Sequence, residues 1–186
     1  MHIHAFKVPT DEEKKHHFLW RVRRELPKPG IIGVFDRSHY ENVLIHRVRG
    51  LSTPEVVEEN YGVIIDFERE LVASGTTIIK VMLHVSSDEQ RVRLQDRLDR
   101  PDKHWKYNPG DVDERMLWPA YQEAYELAIA RTATADAPWH VIPANKKWYA
   151  RWAAQQLLLE SLRGLDPQWP KADYDVEAEK LRLAAT

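Results

Sequence analysis

The sequence predicts an α/β fold, a parallel sheet with helices on both faces, and three observations carry that expectation. Strand-like apolar runs alternate with helical patterns along the chain. Two of these runs, "IIGVF" (31–35) and "TTIIKVMLHV" (76–85), are close to continuously apolar, as in strands covered on both faces. The first ends abruptly in Asp36, Arg37 and Ser38. That is the strand terminus beyond which open α/β sheets place their ligands.

"IHAFKV" (3–8) alternates and stops at Pro9, so it reads as a short strand. "TDEE" (10–13) has the T-x-x-E form of a capping box. The helix it opens is expected to reach about Leu26 on a stripe of Phe18, Leu19, Val22 and Leu26. "PKPG" (27–30) ends it, strand 31–35 follows, and 41–48 has the pattern of a short helix. Residues 52–75 form a long helix with Thr53 as N-cap, Pro54 in the first turn and Gly75 as terminator. Strand 76–85 leads to a second capping box, "SDEQ" (87–90), and a helix to about Arg100. "PDKHWKYNPGD" (101–111) is a polar loop, and 111–132 is helical, with Pro119 placing the true start about one turn late. "WHVIPA" (139–144) is the last strand, and 145–164 is a final long helix ended by Gly164. The tail, 165–186, has room for one short helix.

A length of 186 residues suits one domain with a proper core. The 27 Lys and Arg against 29 Asp and Glu argue against general nucleic-acid coating, while leaving room for a local basic cleft. With no cysteine there is no disulfide, thiolate metal site or cysteine nucleophile. No run has membrane-spanning length and the strand-like opening is unlike a signal peptide, so a soluble cytoplasmic protein is expected. Among the nine histidines, His2 and His4 share a strand face and His16 and His17 are adjacent. No spacing matches a zinc constellation, so they read as structural or surface residues. Seven Trp and seven Tyr belong to a core or an interface.

Two constellations carry chemistry. An acid directly after a buried strand, here Asp36, is the Walker B arrangement, which holds Mg²⁺ beside a phosphate chain; a helix cap or turn is the alternative. Arg37 beside it matches phosphate oxygens in two-point geometry, and Ser38 suits the cap of the next helix. The second constellation is "QRVRLQDRLDRPDKHWK" (90–106). Arg93, Arg97 and Arg100 fall at i, i+4 and i+7, and Lys103 and Lys106 continue the basic series. The segment is either a solvated surface helix or a lid that lowers cations over a polyanion.

Three long blocks resemble the polyphosphate kinase 2 family: "FKVPTDEEKKHHFLWRVRRELPKPGIIGVFDRSHYENVLIHRV", "RLDRPDKHWKYNPGDVDER" and "TATADAPWHVIPANKKWYARWA". The similarity runs from about residue 3 to 163 in order. It implies a P-loop kinase-like three-layer parallel sheet with a helical lid over 87–110, a partial domain at 1–164 and a C-terminal tail at 165–186. It also implies Mg²⁺-dependent phosphoryl transfer between inorganic polyphosphate and a nucleoside mono- or diphosphate. By the same resemblance Asp36 is the magnesium ligand, Arg37 a phosphate contact, and Arg93, Arg97, Arg100, Lys103 and Lys106 bind substrate phosphates. Neither nucleic acid nor membrane is an expected partner. The resemblance and the aromatic surplus point to a homo-oligomer.

One departure from the family pattern is large. The Walker A loop, G-x-D-x-x-G-K, and the strand preceding it have no counterpart, and the dipeptide Gly-Lys occurs nowhere in the sequence. In the 2-3-1-4-5 strand order of such kinases, the absent strand lies between the 31–35 and 76–85 strands. Either those two pair directly or their edges stay open. The expectation is therefore the carboxy-terminal part of such a kinase, with impaired activity. An inactive polyphosphate-binding or assembly module and an ATP-dependent nucleoside monophosphate kinase are the alternatives.

Overall fold

The computed structural model describes all 186 residues. In chain order its elements are β1 (His2–Ala5), α1 (Leu19–Arg24), β2 (Gly33–Asp36), α2 (Ile45–Arg49), α3 (Pro54–Ala73), β3 (Lys80–His84), α4 (Ser87–Asp99), α5 (Gly110–Met116), α6 (Trp118–Thr132), β4 (Trp139–Pro143), α7 (Lys147–Leu165) and α8 (Val176–Ala184). Short 3-10 segments lie at Glu13–Lys15, His39–Asn42 and Pro101–Lys106.

All strand pairing is parallel, but the strands form two separate pairs rather than one sheet: β1 with β2, and β3 with β4. The 31–35 and 76–85 strands do not pair with each other, so the open-edge alternative holds. Phe6, Leu19, Val22 and Phe67 form a buried cluster that seats the first pair, through Phe35, on α1 and α3. Its other face is bare: Ile3 and Val34, register partners, are 62% and 43% exposed. Two-sided cover therefore fails for β1–β2. The β3–β4 pair is covered only in part: Trp139 packs toward α3 and α6 and Ile142 on α7, while Leu83 and Val141 are 56% and 52% exposed. Gly33 opens β2 because a Cβ there would come within 2.9 Å of the Pro27 ring.

Several boundaries differ from expectation, each for a local reason. The Thr10 capping box forms both reciprocal bonds, 2.7 and 3.2 Å, yet opens only a 3-10 turn. The apolar stripe starts at Phe18, so earlier residues have no buried face to keep them helical, and α1 begins at Leu19. The second cap is Ser86, whose Oγ accepts from the Glu89 amide at 3.3 Å, one residue before the expected box. The 111–132 helix divides at Leu117 into α5 and α6, because Pro119 has no amide to continue the ladder. Gly164 does not stop α7; Asp166, at φ +42°, does. Thr53 caps α3 as expected, with Pro54 in the first turn.

A buried polar network joins the exit of β2, α3 and α6 to the β3–β4 pair. Glu68 of α3 and Lys80 of β3, with side chains 2% and 5% exposed, pair at 2.7 Å. Lys80 also donates to the Tyr40 hydroxyl (3.1 Å) and the Thr132 carbonyl (2.8 Å), which places all three ammonium protons. The Tyr40 hydroxyl donates to Glu68 Oε1 (2.8 Å), and His39 Nε2 lies 3.3 Å from the same oxygen. Thr132 Oγ1, 3.0 Å from Tyr40, accepts from Trp139 Nε1 (2.9 Å) and donates to the Ala128 carbonyl (2.6 Å). Burial alone would raise the Glu68 pKa, but hydrogen bonds from His39, Lys80 and Tyr40 outweigh it and hold the carboxyl below its ordinary value.

Glu68→Gln leaves Lys80 buried without a counter-charge and is expected to lower unfolding free energy by about 3–5 kcal/mol. Replacing both residues with Met should recover most of that loss in urea titrations. Because the native Glu68 pKa is depressed, its contribution is complete above the ordinary value of 4.5 and disappears as pH falls through the lower native value. Acid titration of the wild type and Glu68→Gln should therefore converge at low pH.

Candidate functional site

β2 delivers Asp36 to the carboxyl end of the first strand pair, where its carbonyl accepts the Phe6 amide at 3.0 Å. Ser38 takes the capping role: its Oγ accepts from the Tyr40 amide at 3.4 Å. The exposed Asp36 carboxylate is thus left uncommitted, against the alternative of an acid used only as a cap. Between them Arg37 adopts φ +61°. That left-handed conformation costs a side-chain-bearing residue about 1–2 kcal/mol, and such strain collects at functional sites.

Arg37 faces acids on two elements. Its Nη1 lies 4.0 Å from Glu41 Oε2. Burial pushes the Glu41 carboxyl up, with Asp36 adding to the rise and Arg37 and Arg21 opposing it. On α5, burial also acts to raise Glu114. Hydrogen bonds from Arg49 (2.7 Å) and Tyr121 (2.6 Å), with the charges of Arg49 and Arg37, outweigh it and hold Glu114 below the usual range. Glu41 was passed over in sequence reasoning, although it stands in the same "DRSHYE" segment, four residues from Arg37.

The expected lid cations divide into two groups. Arg93 Nε pairs with Glu89 at 2.8 Å, and its Nη2 donates to the Ala144 and Asn145 carbonyls at 2.6 and 3.0 Å, tying α4 to the end of β4. Arg97 reaches Asp111 at 3.2 Å, joining α4 to α5. Arg100 bonds Asp102 at 3.0 Å. Each of the three arginines is thus engaged by the chain's own acids, so they do not present a shared row of unpaired charge. Lys103 and Lys106 have no carboxylate within ion-pair distance, and Lys106 lies 4.6 Å over the Trp105 ring. α5 carries both Glu114, on which the Arg37 charge acts, and Asp111, which pairs with Arg97.

Beyond the carboxyl ends of β3 and β4 lies a second crevice of about 260 Å³, lined by His84, Ser86, Asn145, Lys146, Trp148 and Tyr149 among others. Asn145 clamps its rim: Oδ1 accepts the Ser86 amide (2.9 Å) and Nδ2 donates to Ser86 Oγ (3.0 Å). Lys146 has no acidic partner within 4 Å and is exposed. Sequence reasoning missed Lys146, yet "NKK" follows the last strand as "DRS" follows the second.

A family model described as polyphosphate kinase 2 matches residues 1–170. The AMP/ADP-polyphosphate phosphotransferase of Meiothermus ruber is 50% identical over 171 residues, covering 92% of this chain and 64% of that protein. The ADP-polyphosphate phosphotransferase of Rhodopseudomonas palustris is 40% identical, covering 97% and 67%. The crystal structure of polyphosphate kinase 2 from Arthrobacter aurescens superposes with a TM-score of 0.95 at 56% identity, over 99% of this chain and 65% of that one. The chain thus spans about two-thirds of the length of each of these three relatives.

Arg37→Gly removes the left-handed strain and should stabilise the chain by about 1 kcal/mol, whereas Arg37→Ala, which keeps a Cβ there, should leave stability near wild type. Urea midpoints of the three proteins check this; equal midpoints for the Gly and Ala variants would contradict it.

Proposed function

The chain belongs to the polyphosphate kinase 2 family, and from that premise we propose that it serves Mg²⁺-dependent phosphoryl transfer between inorganic polyphosphate and a nucleoside mono- or diphosphate. The observation that carries this reading is the uncommitted Asp36 carboxylate at the end of β2, followed by the left-handed Arg37. The similarity to an AMP/ADP-polyphosphate phosphotransferase and an ADP-polyphosphate phosphotransferase supports the substrate class.

The residues have separate tasks. Asp36 and the neighbouring Glu41 offer the oxygen donors that a hard divalent ion takes, and the upward push of Asp36 on Glu41 is a repulsion that a cation would relieve. When bound, Mg²⁺ supplies charge neutralisation across the phosphoryl oxygens. Arg37, held at a left-handed φ beside Asp36, orients a phosphate by its planar fork. Lys103 and Lys106, lacking acid partners, are the lid cations best placed to meet phosphates; Arg93, Arg97 and Arg100 first hold the lid in shape and reach substrate only by exchanging partners. Since transfer passes through a loose transition state, positioning and charge supply most of the catalysis.

The reading includes a missing part. No Gly-Lys pair exists to form a Walker A loop, the inner edges of β2 and β3 carry no strand, and the Ile3–Val34 face is uncovered. We therefore place the phosphate-cradling loop and its strand outside these 186 residues. The same open surfaces suit self-association through exposed apolar groups.

The purified chain, given polyphosphate, Mg²⁺ and ADP or GDP, should form little or no nucleoside triphosphate while retaining polyphosphate in a salt-sensitive manner. Asp36→Asn should abolish the Mg²⁺ dependence of that retention. Brisk turnover would refute the need for an external loop, and absence of any polyphosphate or nucleotide binding would refute the substrate assignment. Turnover with ATP as sole donor, and none with polyphosphate, would favour a nucleoside monophosphate kinase.

A further inference from the structure

Outside that site, one cluster brings together metal-ligating side chains from two elements. His2 and His4 alternate along β1 and so project to one face. Glu25, at the carboxyl end of α1, lies over them: its Oε2 is 3.2 Å from His2 Nε2 and 3.0 Å from His4 Nδ1. The three potential ligand atoms all lie within 4.8 Å of one another.

We propose that His2 Nε2, His4 Nδ1 and the Glu25 carboxylate bind a borderline divalent transition-metal ion such as Zn²⁺. Two imidazoles and one carboxylate are the donor set of many three-ligand zinc sites, and they do not suit Mg²⁺, which prefers oxygen alone. A tetrahedral zinc with bonds of about 2.0–2.1 Å separates its ligand atoms by about 3.3 Å. The two Glu25 separations already match that spacing, and the two imidazole nitrogens lie within 4.8 Å of each other. The two imidazoles are the only basic groups within ion-pair distance of Glu25, so no Lys or Arg competes for the carboxylate. Side-chain exposures of 43%, 30% and 30% leave a fourth position open to water or an external ligand. The Phe6 ring, 4.4 Å from that of His4, limits the motion of that imidazole. A bound ion would staple β1 to α1, in the strand pair whose opposite face is bare.

The test uses the metal-free 186-residue chain titrated with ZnCl₂ by calorimetry, with histidine side-chain NMR to identify ligands. One site tighter than roughly 100 μM is expected, with the His2 and His4 ring signals shifting together. Glu25→Gln and His4→Ala should each weaken it by about tenfold or more. Paired His16→Ala and His17→Ala changes, and Asp36→Asn, should leave it unaltered. Should His4→Ala melt early without metal, Glu25→Gln and the wild-type ring shifts decide the matter. No zinc uptake in that range, uptake unaffected by Glu25→Gln, or shifts confined to other histidines would each overturn the proposal.

Discussion

The buried Glu68–Lys80 pair ties α3 to β3 in the interior of the molecule. Two opposite charges sit almost without solvent in a fold whose two strand pairs share no backbone hydrogen bond. Sheets ordinarily fix the position of their strands through the ladder; here that task falls to side chains. Tyr40 from the exit of β2, Glu68 from α3, Lys80 from β3, Thr132 from α6 and Trp139 from β4 converge on one network. A buried pair of this kind is worth little as net stability, but removing either partner is costly, so it specifies position.

Position is what the candidate site requires. Tyr40 is four residues from Asp36, so the contact that fixes Tyr40 also fixes where the strand end and the strained Arg37 stand. On the other side, Arg93 anchors α4 to the end of β4, and Asn145 locks the loops that follow β3 and β4. The cationic segment is thus braced by its own ion pairs. Its arginines act as struts, while Lys103 and Lys106 have no acidic partner within ion-pair distance.

Much of this was legible in the sequence, and the failures are physical. The strand-end acid, the Thr53–Pro54 helix start and the parallel pairing followed from local patterns that tertiary contacts reinforce. Apolarity on both faces of "IIGVF" correctly indicated a strand, but not that Val34 would be left exposed here. The Thr10 capping box formed, yet a cap cannot sustain a helix without a buried stripe behind it. The network had a signal that went unread. Lys80 interrupts an otherwise apolar strand, and Glu68 occupies the apolar series Val57, Tyr61, Ile64 of α3. A lone charge on each of two buried faces calls for a partner, but only the fold reveals that the two meet. The same holds for His2 and His4, whose shared face was evident while the arrival of Glu25 was not.

Amide hydrogen exchange in wild type and Lys80→Met tests most directly whether one side-chain network holds the two strand pairs together. Gly33–Asp36 and Lys80–His84 are expected to lose protection together in the variant, although only the second segment carries the substitution. Loss confined to β3 and β4, with β1 and β2 as protected as in wild type, would contradict it.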